Sequence, residues 1–213
     1  MSVTALFIHG WGFDSGIWDR IVPLLPGWTT LRYDRGYFGA AQAPSPDGPC
    51  IAVTHSFGTM LALTDPPAGC IGILAINGFD RFIARTDSPG VQPRVLERMI
   101  GRFEKESEAT LQEFRHRCGS DASFPACDTK KLGADLRHMA EMDCTRESAL
   151  AQLPILSLQG EADRILPAAM REAVFSCAGQ LERKTLSGNG HLLPLTAPQA
   201  CASTIREFAR VLA

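Results

Sequence analysis

Short runs that are apolar throughout recur along the chain and alternate with segments of helical character. A strand without polar positions is buried on both faces, which is typical of a parallel sheet covered by helices. The sequence therefore predicts an α/β fold with a mostly parallel sheet of about six strands. These strands are expected at residues 3–8, 28–33, 50–54, 70–76, 154–158 and 181–186.

One long stretch interrupts this alternation. Residues 80–153 carry no strand signal, and their apolar residues recur at helical spacing over residues 95–103, 111–118 and 132–139. We therefore expect a core formed by residues 1–79 and 154–213, with residues 80–153 inserted as a helical lid.

Two connections near the start of the chain have different patterns. Between the first two strands, apolar residues spaced three and four apart predict a helix that is capped by Asp14 or Ser15 and ended by Pro26 and Gly27. Residues 34–49 are rich in Gly, Ala, Pro and Ser without apolar periodicity, which predicts a loop.

A serine stands between the third strand and the helix-compatible run that follows it. Taken alone, Ser56 at this boundary is most often a helix N-cap. On a sharp strand-to-helix turn, however, the same serine can be a nucleophile with a backbone amide behind it for an oxyanion. The glycines of residues 9–12, after the first strand, allow amides to approach a ligand closely, although a plain turn in which Trp11 covers an apolar edge is the alternative.

Three residues of complementary chemistry each follow a predicted strand. Ser56, Asp163 and His191 should therefore lie together at the carboxyl edge of the sheet. A serine needs a histidine to take its proton, and the histidine needs a carboxylate to fix its tautomer. Glu161 is an alternative acid. His55 is expected to be structural, because adjacent strand residues point to opposite faces.

Composition narrows the classes of partner. The net charge of -2 does not favour nucleic acid or an anionic membrane. Seven scattered cysteines without a Cys-x-x-Cys pair indicate neither a disulfide framework nor a zinc site, and without a dinucleotide loop we expect no cofactor or metal. The first residues lack a basic leader and a long apolar run, so a cytoplasmic protein is expected. The sequence does not settle its oligomeric state, for which a monomer is favoured.

These motifs together resemble the α/β-hydrolase family, and within it the group of pimeloyl-[acyl-carrier protein] methyl ester esterases of biotin synthesis. The resemblance covers almost the whole chain. It rests on Phe7-Ile8-His9-Gly10-Trp11-Gly12, Gly36-Tyr37-Phe38-Gly39, Ser88-Pro89-Gly90-Val91-Gln92-Pro93, Gly160-Glu161-Ala162-Asp163 and Gly190-His191.

The resemblance implies a role for each site residue. Ser56 attacks an ester carbonyl, His191 is the base, Asp163 orients it, and the backbone amides of Trp11 and Phe57 hold the oxyanion. One position departs from the family pattern, since Thr54 stands where glycine usually precedes the serine by two residues.

The predicted lid offers a clue to the substrate. Arg94, Arg98 and Arg102 recur at i, i+4 and i+8 on one helical stripe. They form either a solvated face, offset by Glu97 and Glu106, or a docking surface for an acidic acyl carrier protein. In the second interpretation, the acyl chain contacts Met99, Phe103 and Phe114.

Three classes of function follow from these patterns and from the resemblance. The first, whose substrate the resemblance implies, is a serine carboxylesterase that removes a methyl ester from a carrier-bound pimeloyl chain. The second is a general short-chain carboxylesterase or thioesterase without carrier specificity. The third, a non-catalytic binding scaffold of the same fold, is disfavoured by the intact Ser-Asp-His set.

Overall fold

Neighbouring strands of the sheet all run parallel. The computed structural model describes residues 3–212, and within them six strands form one sheet in the order β2-β1-β3-β4-β5-β6. The strands are β1 (Thr4–Ile8), β2 (Thr30–Tyr33), β3 (Cys50–His55), β4 (Cys70–Ile76), β5 (Ile155–Gly160) and β6 (Leu181–Leu186). The predicted parallel α/β architecture is confirmed.

The inner strands are mostly apolar because both faces of the sheet are covered there, whereas the edge strand β6 is charged and partly exposed. On β1, the Phe7 ring packs against Trp18 with ring centroids 5.0 Å apart. Its neighbours Leu6 and Ile8 point to the opposite face, where they line a cavity of about 330 Å³ beside Leu61. Residues of β1, β3 and β5 are buried along their whole length. A strand in this environment leaves no position for a solvated side chain.

Most of the predicted helices are confirmed. Within the described residues the α-helices are α1 (Gly58–Thr64), α2 (Pro93–Phe103), α3 (Ser107–Cys118), α4 (Thr129–Glu141), α5 (Thr145–Leu150), α6 (Ala168–Ala173), α7 (Leu193–Thr196) and α8 (Pro198–Leu212). On α2, α3 and α4, the residues that repeat at helical spacing include the buried Leu96, Leu111 and Leu136.

The helix predicted between β1 and β2 is wrong. Two short 3₁₀ turns, Ser15–Trp18 and Val22–Leu24, take its place. Pro23 has no backbone N–H to continue an α-helical ladder, and its ring clashes with the preceding turn. The predicted cap is correct, because the Asp14 side chain accepts a hydrogen bond from the Gly16 amide.

Residues 34–49 contain no helix, as expected, and they form part of the wall of the 330 Å³ cavity through residues 43–46. This cavity lies beside α1 and contains none of Ser56, Asp163 and His191. No helix in the described part of the chain is long and apolar enough to cross a membrane.

Residues 80–153 carry α2 to α5 and no strand, and we call them the α2–α5 segment. Its two ends lie together, because the amide of Cys144 donates to the carbonyl of Asp80 at 2.7 Å. Within it, Arg102 of α2 pairs with Glu113 of α3, and Arg137 of α4 pairs with Glu104 at 3.2 Å. Ion pairs thus link α2 to α3 and the end of α2 to α4.

Gly58, the first residue of α1, allows β1 and α1 to approach closely. A Cβ atom at this position would lie 2.6 Å from the carbonyl oxygens of Ile8 and His9. Gly58→Ala should therefore lower the free energy of unfolding by about 1–3 kcal/mol, because backbone atoms must move to admit the methyl group. Urea unfolding followed by circular dichroism measures this loss.

Gly101→Ala is the matched control. Gly101 lies inside α2, and a Cβ there would meet nothing within 4 Å. We expect this substitution to stabilise the protein by about 0.5–1 kcal/mol, since alanine is the better helix former. A Gly58→Ala protein as stable as Gly101→Ala would contradict the packing argument.

Candidate active site

The order of the strands reverses direction between β1 and β3. The chain moves from β1 to β2 on one side and then returns to place β3 on the other side of β1. Loops that leave the carboxyl ends of two such strands diverge and open a crevice, which is where ligands bind in open α/β sheets. Residues 9–12 follow β1 and Ser56 follows β3, so both candidate motifs lie at this crevice.

Ser56 occupies a strained backbone conformation on the turn from β3 to α1. Its φ is 52°, in the left-handed region that residues with a Cβ atom rarely adopt. Its amide donates to the carbonyl of Ile76 at 3.1 Å, which ties the turn to β4. A Cβ on Gly10 would lie 2.9 Å from the Ser56 Cβ, so the loop after β1 must have glycine at this contact.

Three side chains form a continuous hydrogen-bonded chain at this turn. His191 Nε2 lies 3.1 Å from Ser56 Oγ, and His191 Nδ1 lies 2.8 Å from Asp163 Oδ2. Because an ionised carboxylate only accepts, Nδ1 carries the proton and the Nε2 lone pair faces the serine hydroxyl. The three residues are 5 %, 1 % and 8 % exposed in the order Ser56, His191, Asp163, so their hydrogen bonds are shielded from water.

Asp163 is held in its charged form. Burial opposes ionisation, but His191 and the amides of Ile165 and Leu166 together lower the pKa of Asp163 below its usual value. Those two amides donate to Oδ1 at 2.7 and 3.0 Å, which leaves Oδ2 for the histidine. The alternative acid, Glu161, lies elsewhere, since its exposed carboxylate accepts from the Gly188 amide. The geometry therefore favours Asp163 over Glu161 as the partner of His191.

Two backbone amides beside Ser56 are free to receive an anion. Among the hydrogen bonds of residues 3–212, the N–H groups of Trp11 and Phe57 donate to no protein acceptor. Phe57 directly follows the serine, and Gly12 after Trp11 has a φ of 76°. Unpaired amides on two converging loops are the arrangement expected of an oxyanion hole.

His55 contacts the proposed base, which the sequence did not reveal. Its ring does not bond to Ser56, in agreement with the prediction, but its Nε2 donates to the backbone carbonyl of His191 at 3.0 Å. Burial, with a smaller contribution from nearby His191, lowers the pKa of His55 to about 3. His55 is therefore a neutral residue that supports the backbone of the His191 loop.

Asn77, at the end of β4, was also not predicted. Its Nδ2 donates to the carbonyls of Gly190 and His191 at 2.9 and 2.8 Å, and its Oδ1 accepts from the Gly160 amide at 2.8 Å. The side chain thus joins the loop that bears His191 to the strand that precedes Asp163. A polar residue directly after the apolar run 70–76 was the available signal.

Thr54 fits where the family pattern has glycine because its neighbours make room for it. The Thr54 hydroxyl lies 2.7 Å from that of Thr59 on α1 and donates to the carbonyl of Leu74. A Cβ on Gly78 would lie 2.1 Å from the Thr59 hydroxyl oxygen, so glycine there leaves the space that Thr59 occupies.

Two of the three residues predicted to line an acyl pocket, Phe103 and Phe114, lie against Trp11. The indole of Trp11 packs edge to face against Phe114 at 4.9 Å and Phe103 at 5.8 Å. Met99 and Phe114 line a second cavity of about 220 Å³ between α2 and α3. Phe103 is buried against Trp11 and does not line that cavity.

The three arginines predicted for docking are all exposed on α2. Arg98 and Arg102 line the α2–α3 cavity, whereas Arg94 does not. The expected offset by Glu97 and Glu106 is not observed, because Arg102 pairs instead with Glu113 from α3.

Arg115 on α3 is a further residue that the sequence analysis did not identify. Its guanidinium is buried and donates from Nη1 to the Gly12 carbonyl at 2.8 Å. The signal was an arginine within a stripe otherwise formed by Leu111, Phe114 and Cys118.

Comparisons with known proteins agree with this architecture. The sequence profile of the family described as Alpha/beta hydrolase family matches residues 5–204. A solved hydrolase from Oleispira antarctica superposes with a TM-score of 0.82 at 14% identity, covering 99% of this chain and 92% of that one. The fold is therefore the α/β-hydrolase fold.

Two curated relatives have names that describe a reaction. The biotin biosynthesis bifunctional protein BioHC of Cellvibrio japonicus is 25% identical over 98% of this chain, but this chain spans only 48% of its length. The pimeloyl-[acyl-carrier protein] methyl ester esterase of Photobacterium profundum is 22% identical over 95% of this chain and 93% of its own.

The low pKa of His55 predicts a dependence of stability on pH. The unfolded chain takes up a proton on His55 near pH 6.5, whereas the folded protein does so only near pH 3. Stability is therefore fully present above about pH 6.5 and is lost as the pH falls towards 3. In this window the wild type should lose up to about 1 kcal/mol more per pH unit than His55→Gln, which keeps a donor but does not titrate.

Urea unfolding at pH 7, 6, 5 and 4 measures this difference. His116→Gln, at an exposed histidine on α3, controls for the loss of one surface imidazole. Parallel stability curves for the wild type and His55→Gln would show that His55 is not held neutral by burial.

Proposed function

The chain belongs to the alpha/beta hydrolase family and is a carboxylic ester hydrolase, and we propose that it cleaves the methyl ester of an acyl chain carried on an acyl carrier protein. The observation that carries the proposed chemistry is the position of His191 between Ser56 Oγ at 3.1 Å and Asp163 Oδ2 at 2.8 Å. This arrangement provides a nucleophile, a base and an orienting carboxylate in one buried unit.

In the proposed first half-reaction, His191 Nε2 takes the proton of Ser56 as Oγ attacks the ester carbonyl carbon. The carbonyl oxygen becomes an oxyanion that accepts from the amides of Trp11 and Phe57. When the tetrahedral intermediate collapses, the ester C–O bond breaks and His191 gives its proton to the departing methoxide, which leaves as methanol. Asp163 stabilises the imidazolium between these two proton transfers.

The second half-reaction removes the acyl group from Ser56. A water molecule gives a proton to His191 Nε2 and attacks the acyl carbon, and the second oxyanion forms in the same hole. His191 then returns the proton to Ser56 Oγ, which releases the carboxylic acid. No metal or cofactor is needed for these steps.

The proposed substrate is supported by the named relatives and by the charge on α2. We propose that the α2–α5 segment is a lid, and that Arg94, Arg98 and Arg102 receive an acidic carrier protein on its surface. The Arg102–Glu113 pair neutralises one of these charges, so Arg94 and Arg98 supply most of the attraction. Met99 and Phe114 line the adjacent cavity, where they would contact the acyl chain.

The alternative is a general short-chain carboxylesterase or thioesterase with the same mechanism. The neutralised charge of Arg102 favours this alternative, because it leaves a weaker surface for an acidic carrier. The two functions differ in substrate preference, so turnover of a carrier-bound methyl ester against a short p-nitrophenyl ester separates them.

Replacing Ser56 tests the proposed acyl-enzyme chemistry. Ser56→Ala should lower ester turnover by at least about 10⁴-fold and abolish labelling by a fluorophosphonate, because the attacking oxygen is removed. Ser203→Ala on α8, where the hydroxyl bonds to Glu207, is the control and should retain both activities. Labelling that survives Ser56→Ala would exclude Ser56 as the nucleophile, and a wild type that is neither labelled nor active would favour a binding scaffold.

Reversing the charges on α2 tests the proposed docking of a carrier protein. Reversing Arg94, Arg98 and Arg102 to glutamate should lower kcat/KM for a carrier-bound methyl ester about 10-fold or more at low salt, because the encounter loses its attraction. Turnover of a short p-nitrophenyl ester should change little. Unchanged turnover of the carrier-bound ester would favour the general hydrolase.

The control for this prediction reverses three exposed charges away from α2. Lys130→Glu, Arg146→Glu and Arg210→Glu together produce the same change in net charge at α4, α5 and α8. If this variant loses as much activity on the carrier-bound ester, the effect belongs to overall charge and not to the α2 surface.

A further inference from the structure

Arg115 is a buried cation without an anionic partner. It is 8 % exposed, and no carboxylate within the described residues lies within ion-pair distance of its guanidinium. Its Nε atom has no hydrogen-bond partner at all. A leucine or methionine would fill the same apolar stripe of α3 without the cost of burying a charge. The arginine therefore needs an explanation beyond packing.

Its surroundings hold the guanidinium in one place. The guanidinium carbon lies 4.7 Å from the ring centre of Phe13, 5.4 Å from that of Phe124 and 5.8 Å from that of Phe38. Aromatic faces at these distances attract a cation and restrict the guanidinium plane. The fixed side chain then directs Nη1 to the carbonyl of Gly12 at 2.8 Å.

Gly12 is the residue after Trp11, whose free amide is one of the two proposed oxyanion donors. The Trp11 indole is itself anchored, because its Nε1 donates to the carbonyl of Leu132 on α4 at 2.8 Å. Thus α3 holds the backbone on one side of the Trp11 amide and α4 holds the side chain of the same residue. Leu111 and Phe114 of α3 also press against Gly12, where a Cβ would lie 3.0 to 3.3 Å from them.

The core holds the first residues of this stretch. The amide of Arg35, just after β2, donates to His9 Nε2 at 3.0 Å, and Gly10 lies against Ser56. Residues 9–12, which we call the oxyanion loop, are therefore anchored by the core at one end and by the α2–α5 segment at the other. An oxyanion donor acts only when it is aimed within a fraction of an ångström, so the second anchor matters for catalysis.

We propose that Arg115 is a positioning residue that aims the Trp11 amide at the oxyanion through its hydrogen bond to Gly12, so that a helix of the α2–α5 segment completes the oxyanion hole. This inference rests on the proposed function. It predicts that the hole is complete only while α3 is seated on the oxyanion loop.

Arg115→Met removes the guanidinium with its charge and its hydrogen bond, and keeps an unbranched chain about as long as the apolar stem of arginine. With a short p-nitrophenyl ester, kcat should fall about 10- to 100-fold while KM changes less than about threefold, because the lost interaction acts mainly on the transition state. Inhibition by phenylboronic acid should weaken in parallel, since its tetrahedral adduct on Ser56 places an oxygen in the same hole. Arg137→Met, the same substitution at an exposed arginine of α4, is the control and should change none of these values.

Arg115→Lys keeps the cation and a donor but not the planar guanidinium, so its kcat should lie between those of the wild type and Arg115→Met. Thermal melting establishes that each variant is folded at the assay temperature. If Arg115→Met is unfolded at that temperature, the kcat and boronate affinity of Arg115→Lys test the inference instead. Folded variants whose kcat and boronate affinity lie within twofold of the wild type would overturn the inference. A rise in KM alone would overturn it as well, because it would place Arg115 in substrate binding.

Failure of the proposed function would look different. In that case the wild type itself would resist fluorophosphonate labelling and show no ester turnover, and the inference would fall with it. A labelled, active wild type with an equally active Arg115→Met protein would leave the proposed function intact and remove only the role of Arg115.

Discussion

The left-handed backbone of Ser56 is the constraint around which the rest of the site is built. A non-glycine residue in this conformation costs free energy, on the order of 1–3 kcal/mol, and persists only where its surroundings leave no alternative. Here β3 and α1 fix both sides of the turn, and the amide of Ser56 bonds to the end of β4. Gly10 and Gly58 are required because β1 and its loop pass within contact distance of the turn. The strained turn at Ser56 thus requires glycine at positions 10 and 58.

The position of His191 depends on buried polar groups that do no chemistry themselves. Its carbonyl accepts hydrogen bonds from Asn77 and His55, two residues at the ends of adjacent strands. Asn77 also holds the amide of Gly160, at the end of the strand that precedes Asp163. Because buried hydrogen-bonding groups are costly to leave unpaired, breaking these hydrogen bonds would be unfavourable, so they fix the backbone that carries the imidazole. The geometry of the three loops is therefore set as a unit.

The proposed oxyanion hole is divided between two parts of the chain. The Phe57 amide belongs to the turn at Ser56 and is fixed by the sheet, whereas Trp11 is held from α3 and α4. A site built in this way links the chemistry of the core to the seating of the α2–α5 segment. We attribute this link to Arg115, which is held among aromatic rings and donates a hydrogen bond to the Gly12 carbonyl.

The sequence by itself determined the parallel sheet, the position of Ser56 on a strand-to-helix turn and the order of Ser56, Asp163 and His191. Each follows from local patterns: runs that are apolar throughout, a serine where the period changes, and polar residues just after strands. The same patterns misjudged residues 15–25, where Pro23 prevents an α-helix, and they favoured Asp163 as the acid with Glu161 as the alternative.

Only the tertiary structure showed the hydrogen bond between Asp163 and His191, the fit of Thr54 and the contacts of Asn77, His55 and Arg115. These depend on pairs far apart in the chain, such as Thr59, the partner of Thr54, with the space left by Gly78, or Arg115 with Gly12. Propensity and periodicity describe a residue's own element, and they contain no information on which distant carbonyl a buried side chain will meet. For that physical reason Ser56 could be proposed as the nucleophile from the sequence, whereas the distant groups that contact its turn and the His191 loop could not be identified.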